Sequence, residues 1–281
     1  MVLLLVLATF SISTSPIIAR LLSGVPAVGI SFWRMAIGAT ILWLYSKFKP
    51  SATLSTKNRN YTILGGIFLG MHFYFFFESI KLTTIANATF LGTLAPLFTL
   101  CLERFWLKRN IQKNMIFALV IIFSGSLIIV SDQFDASSNY TKGNLYALIC
   151  SLWIALAFMI SENVRKEADT VSFSKTLFAS AAMTLMMISF YIGESLIGYS
   201  QKDYFGLFLL GLIPTVFGHS VFYFTLRYVQ PTVVASFPLG EPVIASIIAY
   251  FLFSEAVGIS VILGGTLTII GLLILIKLKK E

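Results

Sequence analysis

Apolar and polar positions fall into long alternating blocks along this chain. Ten apolar runs cover residues 2–19, 27–45, 61–79, 85–107, 114–130, 143–160, 173–197, 204–226, 232–253 and 258–276. Each approaches the roughly 20 residues that carry an α-helix across about 30 Å of hydrocarbon. The polar intervals are short, the longest spanning 46–60 and 131–142. The pattern predicts an all-α integral membrane protein of ten transmembrane helices, with nothing left over for a soluble domain.

The ninth run interrupts its own pattern. It reads TVVASFPLGEPVIASIIAYFLFSE and carries Pro238, Gly240, Glu241 and Pro242 at its centre. Proline has no N–H, so the carbonyls of Val234 and Pro238 lose their partners four residues on. Irregular backbone and an ionisable side chain are tolerated at membrane depth only against protein or water. Two readings stand side by side here: a kinked packing helix with a protonated Glu241, or a helix lining a solute pathway.

The chain also matches itself at one constant offset. Gly65 falls on Gly211, Phe76 on Phe222, Pro96 on Pro242, Phe105 on Phe251 and Gly125 on Gly271. This predicts two five-helix repeats, residues 1–131 and 143–280, and an odd helix number inserts the second upside down. Inverted repeats of this kind place a solute site near the midplane between the halves. Pro96 frees the carbonyl of Gly92 as Pro242 frees that of Pro238, and paired interruptions point to that site.

Composition agrees and narrows the class. With 57% hydrophobic and 11% charged residues and a mean hydropathy of +0.89, an ordinary soluble domain is excluded. The net charge of +8 does not indicate a nucleic-acid partner, because the basic residues sit between apolar runs. With the N-terminus inside, fifteen of the 20 fall in inner loops or the tail: Lys47, Lys49, Lys57, Arg59, Arg104, Lys108, Arg109, Lys113, Arg165, Lys166, Lys175, Arg227, Lys277, Lys279 and Lys280. Arg20, Lys81, Lys142 and Lys202 face outward, and Arg34 lies within the second run. The asymmetry puts both termini in the cytoplasm. The first run has neither a basic lead nor a small-x-small cleavage site, so it reads as a membrane helix. Cys101 and Cys150 lie in apolar runs and form no zinc or disulfide pattern.

Several stretches resemble a known family. IANATFLGTLAPLFTLCLERFWLKRN, PTVVASFPLGEPVIASIIAYFLFSE, ISFWRMAIGATILWL with Arg34, SLWIALAFMISENVRK and the closing GGTLTIIGLLIL are similar to EamA-type ten-helix permeases of the drug/metabolite transporter superfamily. The resemblance covers essentially the whole chain. It implies a transporter without a cofactor, most often an exporter of amino acids or related compounds, with uptake of nucleotide-like molecules also found in the superfamily. One departure stands out: Arg109 occupies the place where the second repeat has Glu255. As a residue at a helix end, it is expected to have little effect on transport.

Ionisable and polar residues inside the runs are the candidate site. Arg34 can snorkel, pair with Glu78, or reach toward Glu241 and hold an anionic substrate group. Glu78 has Lys81 three residues on, which favours a local pair. His72 and His219 lie on runs that the repeat pairs, and either can carry a coupling proton. His219 shares an i+4 stripe with Thr215, Tyr223 and Arg227. Asn87, Thr89, Thr93 and Ser236 suit hydrogen bonds between helices. Trp153, Phe158 and the aromatic run from Phe73 to Phe77 supply aromatic surface for an organic solute. Pro96 and Pro242 mark the two breaks, and the Gly66–Gly70 spacing permits close helix contact.

The expected function is a secondary transporter, an exporter of small organic metabolites working by alternating access across the inner membrane. The alternatives are a passive channel or facilitator, and an importer of nucleotide-like metabolites. An intramembrane enzyme is disfavoured: HExxH, P-loop and GxSxG patterns are missing, and no metal-ligand spacing is present. The expected partners are a small-molecule substrate, the surrounding lipid and a coupling proton. One chain suffices to enclose the site, and the oligomeric state is left open.

Overall fold

The computed structural model describes residues 1–49, 51–131, 140–253 and 258–277. Glu255, Lys279 and Lys280 lie outside the described residues. Described secondary structure is helical throughout. It comprises α1 Val2–Leu21, α2 Ala27–Phe48, α3 Thr56–Leu82, α4 Ile85–Gly92, α5 Ala95–Phe105, α6 Lys113–Val130, α7 Thr141–Glu167 and α8 Thr170–Ile192. There follow α9 Gln201–Leu210, a π-helical stretch Gly211–His219, α10 Ser220–Thr225, α11 Pro231–Ser236, a 3-10 turn Phe237–Gly240, α12 Glu241–Phe253 and α13 Ile259–Lys277.

Seven spans are long and apolar enough to cross a bilayer, namely α1, α2, α3, α6, α7, α8 and the continuous stretch Gln201–Thr225. Ile259–Leu275 is a shorter apolar helix. The fourth and ninth apolar runs are the interrupted ones, each split into two helices. Local chemistry fixes where helices start. The hydroxyls of Ser55 and Thr84 accept from Asn58 N and Asn87 N, Asp169 caps α8, and Ser200 with Asp203 forms a capping box.

The breaks are tighter than the sequence suggests. Val234 and Pro238 do not keep open carbonyls, because Phe237 N donates to Val234 O and Glu241 N to Pro238 O. Chain without a donor four residues on has contracted to i→i+3 bonds, the usual repair for an interrupted helix. In the first break Thr93 N donates to Thr89 O and Phe90 O, and Pro96 begins α5 where its missing N–H costs nothing.

Packing is closest around α3, which lies against both α7 and α8. Gly66 and Gly70 meet the backbone of Leu177 and Ala181 directly, so a side chain at either would push α8 away. The helices α6 and α13 form a second close pair in which Gly125 and Gly264 touch backbone to backbone. Small residues at such crossings let apolar helices gain dispersion contact that lipid would otherwise supply.

Connections gather at two ends of the bundle. At one end Asn58 reaches Glu167, Ser51 reaches Ser172, Lys175 reaches Ser46 and Thr232 N reaches Glu103. At the other, Lys81 donates to Val25 O, Thr83 and Asn87 meet at Asn144, and Trp33 donates to Leu196 O.

Candidate functional site

Both interrupted helices bring their breaks to one cavity of about 60 Å³, where Gly92 and Thr93 face Pro238 and Glu241. Arg34, His72, Phe158 and His219 line the same space. Four separate signals in the sequence thus converge: the two breaks, the buried charges, the histidines and the aromatics. The space holds only a few waters, each needing roughly 10–15 Å³ of such volume. Small-molecule pockets commonly run to about 300–1,000 Å³, so the space is smaller than a metabolite needs.

Arg34 is the anchor. Its side chain is buried at 1% exposure. Nε donates to Thr215 Oγ1 at 2.9 Å and Nη1 to Ser15 Oγ at 2.9 Å. The guanidinium lies over the Phe73 ring, 4.1 Å from its centroid. Among the described residues Nη2 has no hydrogen-bond partner. An arginine has five N–H donors, and here the protein occupies part of the fork while leaving the rest beside the cavity. Thr215 can accept because its own proton goes to Leu210 O at 2.9 Å. That bond spans five residues, which ties it to the π-helical stretch around Pro214. π-segments recur at functional sites, and this one carries both Thr215 and His219.

Phe73 joins the charged groups. His72 stands edge-on to it at 4.8 Å and His219 at 5.1 Å, and the Arg34 guanidinium lies over its face. His72 Nδ1 lies 2.8 Å from Cys150 O. A carbonyl can only accept, so Nδ1 carries the proton in that contact and Nε2 is the acceptor of the neutral ring. His219 Nδ1 has no hydrogen-bond partner among the described residues. Glu241 is 7% exposed and lies within electrostatic reach of Arg34, yet no ion pair joins them.

Other residues expected at the site take different places. Asn87 donates to Asn144 Oδ1 at 2.8 Å and ties α4 to α7. Trp153 packs on Phe68, and Tyr223 is wedged between Phe158 and Phe173. Ser236 returns its hydroxyl to Thr232 O. None of these lines the cavity, nor do Pro96 and Pro242, which shape the breaks behind it. Glu78 stands apart from Arg34, and Lys81 turns to Val25 O at 3.2 Å and forms no ion pair with Glu78. The stripe drawn through His219 also ends early, since Arg227 is exposed against Tyr228. Of the two hydroxyls that hold Arg34, Thr215 lies on the stripe drawn through His219, whereas Ser15 carries no distinguishing mark in the sequence.

A second charged cluster lies at one end of the bundle. Glu103 on α5 and Glu162 on α7 have fully buried side chains. Arg109 reaches both, with Nη1 at 3.5 Å from Glu103 Oε1 and Nη2 at 2.7 Å from Glu162 Oε2. Lys166 Nζ approaches Glu162 at 3.9 Å. Thr232 N, at the start of α11, donates to Glu103 Oε1 at 3.3 Å. Lys108 adopts φ 52°, a left-handed turn that folds Arg109 back so that its N–H meets Glu103 O at 2.9 Å. Arg109 is therefore more than a residue at a helix end: it fastens α5 to α7 and, through Glu103, to α11. The signal was two carboxylates, one in LERF within the fourth apolar run and one in SENV just past the sixth.

Comparisons with known proteins identify the family. The sequence model of the EamA-like transporter family matches residues 1–131 and 141–277. The pseudopaline exporter CntI of Pseudomonas aeruginosa is 22% identical over 99% of this chain and 96% of its own. The S-adenosylmethionine uptake transporter of Rickettsia felis is 24% identical over 90% of this chain and 83% of its own. A solved structure superposes with a TM-score of 0.81 at 15% identity, covering 98% of this chain and 96% of that one, which speaks to the fold alone.

Proposed function

We propose that this chain, which belongs to the EamA-like transporter family, exports small organic metabolites such as amino acids by alternating access across the inner membrane. It is a multi-pass membrane transporter; the family and its named relatives are transporters, not enzymes. One of those relatives is named an exporter and another an uptake transporter.

The seven long spans, the shorter Ile259–Leu275 and the two interrupted segments read together as ten crossings. Five per half makes the halves antiparallel. The grouping of connections supports this, since segments near 46–59, 103–109, 162–176 and 232 meet at one end and those near 25, 81–87, 144 and 196 at the other. The first group carries most of the basic residues and belongs inside.

The observation that carries the proposal is the small cavity where both broken helices meet Arg34, with Nη2 left over. A substrate carboxylate takes that donor, the aromatic walls take its apolar part, and Glu241 exchanges the coupling proton. Because the cavity is too small for a metabolite, loading requires one end to part. The Glu103–Arg109–Glu162 cluster holds the inner end shut in this conformation.

Proteoliposomes loaded with amino acids found by a thermal-shift screen test this reading. Saturable counterflow that depends on pH is expected. Glu241→Gln should keep exchange and lose the pH dependence. Flux that neither saturates nor exchanges would identify a passive facilitator instead.

A further inference from the structure

A second cavity, about 240 Å³, opens at the end of the bundle where α3 and α8 begin, and it shares no lining residue with the first. Its lining includes Ser51, Thr53, Arg59, Ser172, Lys175 and Thr176. Among the described residues neither Arg59 nor Lys175 has a carboxylate partner, and the Arg59 guanidinium has no hydrogen bond. Lys175 Nζ donates only to Ser46 Oγ, at 3.2 Å. The hydroxyls of Ser51 and Ser172 meet at 2.7 Å across the two segments.

The nearby carboxylates are already engaged. Glu167 accepts from Asn58 Nδ2 at 2.9 Å, and Asp169 caps Val171 N and Ser172 N. A role in membrane topology requires positive charge at this end. It does not require two cations and a set of hydroxyls to share one cavity.

We propose that this cavity binds a phosphate-bearing group, supplied by the headgroup of an anionic phospholipid. A guanidinium pairs with two phosphate oxygens at once, and Lys175 adds a point charge. The hydroxyl of Thr53 is placed to donate to a further oxygen, while that of Thr176 already donates to Ser172 O at 2.8 Å. The start of α3, capped by the neutral Ser55 hydroxyl, adds partial positive charge. The cavity sits at the ends of two membrane spans, the depth at which headgroup phosphates lie, and basic pockets between such spans favour anionic lipid. Free inorganic phosphate presents the same oxygens, and the experiment separates the two sources.

Full-length protein is taken from vesicles of phosphatidylcholine with and without phosphatidylglycerol, and retained lipid is counted by native mass spectrometry. Arg59→Gln with Lys175→Gln should lower retained phosphatidylglycerol about tenfold. Lys57→Gln with Lys113→Gln removes equal charge from the same end outside the cavity and should change retention little. Thr53→Glu keeps both cations but adds an anion, and should abolish retention. It guards against loss caused by misfolding, which unchanged unfolding in pure phosphatidylcholine also excludes. If inorganic phosphate displaces the lipid and itself raises thermal stability in phosphatidylcholine, the phosphate chemistry stands and the source is soluble. Equal lipid loss in the cavity and control variants, or none in either, overturns the proposal.

Discussion

At the meeting of the broken helices, Arg34 is held by two hydroxyls and an aromatic face and keeps a donor unused. At one end of the bundle, Arg109 turns both of its terminal nitrogens to carboxylates. The first arrangement leaves electrostatic capacity beside a cavity; the second consumes it between three helices. A buried cation that retains a donor is suited to bind and release an anion. One matched against two buried carboxylates is suited to hold segments together. In the proposed transport cycle, the difference suits the middle of the bundle to recognition and its end to closure.

The largest effect is expected where matching is tightest. Arg109→Ala leaves Glu103 and Glu162 buried without their main counter-ion, a change that costs about 3–5 kcal/mol. Thermal unfolding of the purified protein measures it. Adding Glu103→Gln and Glu162→Gln should recover most of the loss, because the uncompensated charge is then gone. No recovery would mean that packing, not charge, dominates this end.

Arg34→Ala should reduce transport on the order of 100-fold, the effect of losing a charged hydrogen bond worth about 3 kcal/mol. Arg34→Lys should fail nearly as badly, since an ammonium lacks the planar fork that reaches Thr215, Ser15 and a substrate together. Counterflow in proteoliposomes reads both. Full activity of the lysine variant would reduce Arg34 to a point charge.

Smaller effects mark the boundary of the site. Asn87→Ala removes its bond to Asn144 and should cost about 1 kcal/mol of stability, with exchange unchanged. Glu78→Gln touches neither region and should alter unfolding by less than about 0.5 kcal/mol. A strong transport defect in either would extend the site beyond the cavity.

Much of this organisation is legible in the sequence because proline is chemically unambiguous. Pro96, Pro238 and Pro242 cannot donate, so breaks in the fourth and ninth runs follow wherever those runs fold as helices. Arg34, His72, His219 and Glu241 stand out because ionisable groups inside apolar runs must find protein or water. Ser15 does not stand out, since a membrane-helix hydroxyl bonds its own backbone equally well, as Ser13 and Thr9 do, and Thr215 shows only as a member of the stripe through His219. The π-helical stretch depends on a local surplus in the hydrogen-bond ladder around Pro214, which residue spacing does not encode. Asn87, Trp153, Tyr223 and Ser236 have the right chemistry for a site, and helix rotation turns them elsewhere. Arg109 hides its role for another reason: its importance comes from two carboxylates far along the chain and from a left-handed turn at Lys108.

Recognition in the middle and closure at the end both presuppose that the two halves cross the membrane in opposite directions. Single cysteines at Asn60 and Gln201, in a background lacking Cys101 and Cys150, test this with a membrane-impermeant maleimide. Asn60→Cys should label only from the cytoplasmic side and Gln201→Cys only from the outside. Labelling of both from one side would contradict antiparallel halves.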